Sequence, residues 1–244
     1  MRKLDQTTID EREEKILDTA RKIIDSEGVG GLTMEKVAAR VTFSKGTLYN
    51  HFSSREDILV AVSSRCMDKH RQLFARAALF PGRPRERFIA IGVGCELQHT
   101  IEPEDHPYWI TDDILAKTSQ RWRDAYAWAY SSTIELFLGV VRDAIAVGDL
   151  PAGTPPDLVS FATWSLMEGA DELYRYKLIF RDASPTEFTL LQRRMVTHLL
   201  DGFNWKPLST EIDYPALHRR LIETLYAEEI AQIGPVKDQL FPKG

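Results

Sequence analysis

Cysteine is scarce in this chain. Two of its 244 residues are cysteines, Cys66 and Cys95, each inside a helix-like stretch and with no CxxC pair or Cys/His cluster in the sequence around it. That excludes a disulfide framework and argues against a zinc site, leaving two reduced, buried thiols as the expectation. Long apolar runs are also missing. The strongest, Thr133 to Val141, falls far short of the roughly 20 residues needed to span a bilayer. Met1 to Gln6 lacks the apolar core of a signal peptide, so a cytoplasmic protein without a membrane partner is expected. Strand-type alternation is absent as well, and positive charge is not in excess, the formal net charge being −5.

What is present is helical spacing. Ile16, Leu17, Ala20, Ile23 and Ile24 form one face of a helix from about Asp10 to Glu27, stopped by Gly28, Gly30 and Gly31. Thr33 is a natural N-cap for a short helix carrying Met34, Val37, Ala38 and Val41. After a break at Thr42 and Phe43, Ser44 caps a third helix over 45–52. Ser53 and Glu56 stand in capping-box spacing before a long helix over 55–77. Phe80-Pro81-Gly82-Arg83-Pro84 marks a boundary. Beyond it the spacing predicts helices over 85–101, 107–117 and 121–147, then a Gly/Pro-rich loop over 148–156, and further helices over 157–180, 185–203 and 214–233. The predicted fold is all-α.

The stretch Thr33 to Glu56, TMEKVAARVTFSKGTLYNHFSSRE, carries the chemistry. Between Thr33 and Arg55 the bases Lys36, Arg40, Lys45 and Arg55 face one acid, Glu35, so the local charge is +3 within an acidic chain. Two short helices joined by a tight turn suit a helix-turn-helix, whose second helix enters the major groove N-terminus first. Leu48 and Phe52 point together into the core on a helical wheel, while Gly46, Thr47 and Asn50 face away and Tyr49 and His51 flank. A short solvated helix is the plainer alternative on these residues alone.

The segment resembles the DNA-binding domain of the tetracycline-repressor (TetR) family of bacterial regulators. The resemblance rests on Thr33, Val37-Ala38, the run Gly46-Thr47-Leu48-Tyr49-Asn50-His51-Phe52, and Arg55-Glu56. It departs in Arg55, where Lys is usual, and in an extra residue before Leu59. By this resemblance Thr33, Tyr49, His51 and Arg55 contact phosphates, which position without specifying. Ser44, Lys45, Gly46, Thr47 and Asn50 lie where base edges are read. Arg2 and Lys3 offer either phosphate attraction or a charged tail.

The resemblance further implies a helix-turn-helix domain over 1–56 joined by helix 55–77, and an effector-binding and dimerisation domain over 57–205. Residues 206–244 form an extension whose amphipathic helix, with Leu217, Leu221, Ile222 and Leu225, needs a surface to pack on. A homodimer on a palindromic double-stranded operator is expected, its dimer face formed by helices 157–180 and 185–203 through Phe161, Leu191, Met195, His198, Leu199 and Phe203. The effector is a small molecule. Aromatic clustering and the lone carboxylate of an uncharged helix nominate His99, Trp109, Tyr126, Trp164 and Glu168 to line its pocket, although core packing or a dimer face accounts for the same residues. Gly92 and Gly94 leave room either for that ligand or for close helix packing. No nucleophile–base pair stands out and His99, Glu104, Asp105 and His106 are spaced like a charged loop, so a non-enzymatic repressor without a cofactor or metal is expected. A small-molecule carrier or enzyme on the regulator fold, and a regulator controlled by a protein partner, are the alternatives.

Overall fold

The computed structural model describes residues 6–102 and 110–241. These residues form twelve α-helices and no strand, and none of the helices is long and apolar enough to cross a membrane. They divide into two compact units, one within 1–69 and 104–131 and the other within 70–103 and 132–244.

The first unit is built on α1 (Gln6–Glu27), α2 (Met34–Arg40), α3 (Lys45–His51) and the start of α4 (Arg55–Ala78). Gly28 takes φ 75° and returns its amide to the Ile24 carbonyl, a left-handed cap that a side chain would strain. Thr33 and Ser44 are the N-caps expected of them: Thr33 Oγ1 accepts from the Lys36 amide and Ser44 Oγ from the Thr47 amide, each at 3.2 Å. At α4 the cap is one residue later than the Ser53/Glu56 spacing suggests. Ser54 Oγ accepts from the Asp57 amide, and the Asp57 carboxylate accepts from the amide and hydroxyl of Ser53. Ile16, Ala20, Ile23, Leu32, Val37, Leu48, Phe52 and Ile58 are fully buried in one core.

Ile114 of α6 (Asp112–Lys117) and Trp122 of α7 (Gln120–Ala146) pack against that core, so the unit extends well past residue 56. Trp122 stacks on Phe52 at 4.8 Å. Buried Asp57 accepts the Ser119 amide at 2.7 Å, joining the start of α4 to the start of α7. Burial pushes the Asp57 carboxyl up, but the Ser53 hydroxyl and the Ser119 and Ser53 amides outweigh it and hold it below its ordinary value.

The second unit packs the rest of α4 and α7 with α5 (Pro84–Ile101), α8 (Pro156–Arg175), α9 (Pro185–Gly202), α10 (Tyr214–Thr224), α11 (Ala227–Ile233) and α12 (Val236–Leu240). Its core gathers Phe74, Phe88, Leu97, Val141, Leu200 and Trp205 with Leu217, Leu221 and Tyr226. The C-terminal stretch therefore packs on α5 and α9. Arg85, fully buried, ties it down by donating to the Trp205 carbonyl and pairing with Asp201 at 2.7 Å, which in turn accepts from Ser209.

Two predicted helices are cut short. α8 ends at Arg175 instead of running to Phe180. Lys177 and Phe180 turn to φ 54° and 49°, and the Leu178 amide closes onto the Leu173 carbonyl. The predicted 214–233 helix is two. The chain breaks at Leu225 and Tyr226, whose amides both return to the Leu221 carbonyl, while the Tyr226 hydroxyl donates to the Ala90 carbonyl at 2.8 Å. Gly94 admits that ring: a Cβ there would lie 2.6 Å from the Tyr226 oxygen, so this glycine serves helix packing.

His218 in α10 supplies a pH-dependent term. It packs edge-on to Phe241 and beside Tyr214, and burial, then the Arg193 charge, push it down to about 4 from 6.5. The unfolded chain binds a proton near pH 6.5 that the folded chain refuses until about pH 4. Its contribution is complete above pH 6.5 and is lost as pH falls towards 4. The loss is about 2–3 kcal/mol in stability. Denaturant melts of wild type and His218→Gln across that window should show this decline shrinking in the variant. Equal pH slopes would refute it.

Candidate nucleic-acid interface and helical-domain sites

Helix α3 presents its N-terminal half to solvent. Ser44, Lys45, Gly46, Tyr49 and Asn50 are exposed and Thr47 is half-exposed, while Leu48 and Phe52 on the opposite side are fully buried. Only the Ser44 hydroxyl lies within 4 Å of where a Gly46 Cβ would be, so this point of the helix surface is open to close approach. Tyr49 is 40% exposed, with the Lys45 ammonium 5.7 Å from its ring centre. The eight residues from Ser44 to His51 thus split into an anchored side and a side of hydrogen-bonding groups.

The basic surface is differently made than a bare charge count implies. Lys36 and Arg40 both pair with Glu27, at 2.5 and 3.0 Å, and lower its pKa. Lys45 lies 3.7 Å from Glu35, and Arg55 lies 3.7 Å from Glu56 while donating to the Val29 carbonyl. Such exposed pairs are weak and screened by solvent, so a phosphate can displace the carboxylates. Arg55 additionally fastens the turn after α1.

His51 is placed least like a free surface group. Its side chain is 8% exposed, and Nδ1 lies 3.1 Å from Oε1 of Glu13. Glu13, itself buried, also receives a bidentate pair of 2.8 Å bonds from Arg121. This chain of groups links α1, α3 and α7 and leaves Nε2 as the ring's remaining polar atom for an outside partner. Sequence spacing carries no trace of it, because Glu13 and Arg121 are 38 and 70 positions from His51. Arg2 and Lys3 lie outside the described residues.

The residues nominated for an effector pocket fall in different parts of the chain's two units. Trp109 lies outside the described residues, as do Glu104, Asp105 and His106. Tyr126 belongs to the first unit, 4.4 Å from the Tyr130 ring. In the second unit Trp164 of α8 packs at 5.9 Å from Phe137 and hydrogen-bonds to Glu168. Burial, then the charge of Asp171, push the Glu168 carboxyl up. His99 instead sits with His70 and Cys95. The sequence around Cys95 suggests no Cys/His cluster because one member, His70, is on another helix. Its one local signal is the four-residue spacing of Cys95 and His99. A cavity of about 300 Å³ lies in the first unit, beside Glu13, Arg65, Arg121 and Trp128, and none of the four described nominees lines it.

Helices α8 and α9 pack through the stacked rings of Tyr174 and Phe188, 4.0 Å apart, and a Gln192–Asp171 hydrogen bond. Phe161, Leu158 and Leu173 remain exposed on α8, and Tyr176 at its C-cap, Phe161 by 71%. Leu191, Met195 and Leu199 on α9 and Phe203 at its C-cap are half-buried, and His198 is exposed.

The first unit thus has the form of a helix-turn-helix whose second helix is anchored by Leu48 and Phe52, and a larger helical unit follows it. The family model of the bacterial regulatory proteins of the tetR family matches residues 16–62 of this chain. An HTH-type transcriptional regulator of Staphylococcus aureus (strain USA300) is 34% identical over 58 residues, covering 24% of this chain and 31% of the relative. The chain thus spans about a third of the length of the curated relatives it matches. The fold likeness extends further. A tetR-family regulatory protein from Rhodococcus RHA1 superposes with a TM-score of 0.60 at 18% identity, covering 79% of this chain and 97% of that one. FadR from Bacillus subtilis, solved in complex with stearoyl-CoA, gives 0.58 at 15% identity, covering 78% and 98%. SmeT, the repressor of a Stenotrophomonas maltophilia multidrug efflux pump, gives 0.54 at 17% identity, covering 80% and 92%.

Proposed function

We propose that this protein is a sequence-specific transcriptional regulator, a homodimeric repressor that reads a two-fold symmetric duplex and is released by a small molecule. The observation that carries the reading is the exposed side of α3, where Lys45, Gly46, Thr47 and Asn50 offer groups of the kind that read base edges. Tyr49, with Thr33, His51 and Arg55 around it, occupies phosphate-contact positions, and Ser44 starts the helix at the groove. One helix of seven residues covers few base pairs, and a second copy related by two-fold symmetry doubles the readout. The exposed apolar side of α8 with α9 supports that pairing, because such patches on soluble chains mark interfaces.

The effector is assigned an apolar body and a hydrogen-bond donor, met by Trp164 and Glu168 in the second unit. The stearoyl-CoA bound by B. subtilis FadR supports an apolar ligand for this fold. Coupling of this kind is worth about 1–3 kcal/mol and is reciprocal.

A fluorescence titration against a duplex selected from random DNA tests the reading. Tyr49→Phe should weaken binding to all sequences alike. Asn50→Ala should cost about 1–3 kcal/mol and relax preference at one base position. Arg55→Ala, losing a phosphate contact, should lower the salt slope by about 1. An effector added to the same titration should weaken the complex in wild type and less in Trp164→Ala. Wild-type affinity and preference in all three DNA-face variants would refute the assignment.

A further inference from the structure

Cys95 and His99 are four residues apart in α5, which places them one turn apart on the same face. His70 of α4 meets them there. Its ring stands edge-on to that of His99 at 5.6 Å, and one potential ligand atom from each of the three residues lies within 4.8 Å of the others. All three belong to the second unit. His70 is buried and the other two are half-buried, so the donors are largely withdrawn from water. The neighbouring carboxylate, Glu96, is engaged by Arg193 through three contacts of 2.6–2.9 Å. The convergent donors are therefore two imidazoles and a thiol.

We infer that His70, Cys95 and His99 bind a transition-metal cation of the zinc class through two ring nitrogens and a thiolate, with the fourth position held by water or a small ligand. Zn–N distances of about 2.0–2.1 Å and a Zn–S distance of about 2.3 Å put tetrahedral donors roughly 3.3–3.8 Å apart. Separations within 4.8 Å close to that range by side-chain rotation. The thiolate selects against Mg²⁺ and Ca²⁺, which take oxygen donors, and mixed imidazole–thiolate ligation suits Zn²⁺ and Co²⁺. Binding forms one metal–sulfur and two metal–nitrogen bonds and releases the Cys95 thiol proton to solvent, with no change of oxidation state. The inference stands on the second unit alone and does not depend on the DNA-binding reading.

The test uses the full chain, freed of metal by a chelator and titrated with Co²⁺. Thiolate ligation gives a sulfur-to-cobalt charge-transfer band in the near ultraviolet. The band should saturate at one Co²⁺ per chain, bleach on addition of Zn²⁺ and be absent in Cys95→Ala. In His99→Gln binding should weaken by at least the about 10–100-fold that loss of even an outer-shell partner costs. A second measurement needs no variant: stoichiometric Zn²⁺ should slow iodoacetamide alkylation of Cys95, read on its peptide by mass spectrometry, while Mg²⁺ should not. Failure to saturate, an undiminished band in folded Cys95→Ala, or unprotected Cys95 in the wild-type chain would each overturn the site.

Discussion

Deleting residues 206–244 is expected to leave the second unit unfolded. The segment supplies Leu217, Leu221 and Tyr226, all at most 2% exposed, and Ile230, Ile233, Leu240 and Phe241 to the same core as Phe88, Leu97 and Trp205. Burying each such side chain is worth about 1.5–3 kcal/mol, so seven of them are worth as much as the about 5–15 kcal/mol by which a whole domain is stable. Polar ties are lost as well. Arg193 donates to the Leu240 carbonyl and lies 4.7 Å over the Phe241 ring, Arg76 pairs with Glu229, and Asp201 loses its Ser209 donors. The truncated chain should be insoluble or lack the second unit's cooperative melting transition by near-ultraviolet circular dichroism. Leu221→Ala in the full chain should cost about 2–5 kcal/mol by the same reasoning. A truncated chain that melts like the full one would show the segment to be dispensable.

The importance of that segment is hard to read from its sequence, for a physical reason. Leu217, Leu221 and Leu225 at helical spacing announce a face to be buried, but periodicity names no partner, and Ala90 and Gly94, which meet the adjoining Tyr226, lie some 130 residues away. The same limit hides the His51–Glu13–Arg121 chain and the meeting of His70 with Cys95 and His99. What is local is legible. Thr33 and Ser44 cap their helices because a hydroxyl followed by a short apolar-periodic run has few other uses. Leu48 and Phe52 are buried because four-residue spacing puts them on one side of α3. The end of α8 is local too, yet unreadable: Lys177 and Phe180 adopt positive φ where a glycine would have signalled the stop. Trp164 and Glu168 adjoin because they are four apart on one helix, whereas their grouping with Tyr126 and His99 rested on residue type, which carries no distance information.

Phe52→Ala is expected to abolish specific DNA binding, although Phe52 is fully buried and offers nothing to a duplex. It is the C-cap residue of α3, its amide bonded to the Leu48 carbonyl at 2.9 Å, and its ring stacks within 9° of parallel on Trp122. With Leu48 it is what holds a seven-residue helix, too short to persist alone, against α1 and the start of α7. Truncation to alanine costs about 3–5 kcal/mol in lost burial and cavity. The stacked pair adds about 0.5–1.5 kcal/mol beyond area. A loss of that size is comparable to the entire stability of a small domain, so α3 no longer presents Lys45, Gly46 and Asn50 in fixed register. Phe52→Leu keeps most of the volume and should retain measurable binding, while Tyr49→Phe, on the exposed side, should leave the melt unchanged and weaken only the DNA complex. The contrast separates anchoring from contact. Thermal melts followed by near-ultraviolet circular dichroism, paired with duplex titrations of the three variants, decide it. If Phe52→Ala melts and binds like wild type, the packing of Phe52 on Trp122 does not hold the reading helix in place.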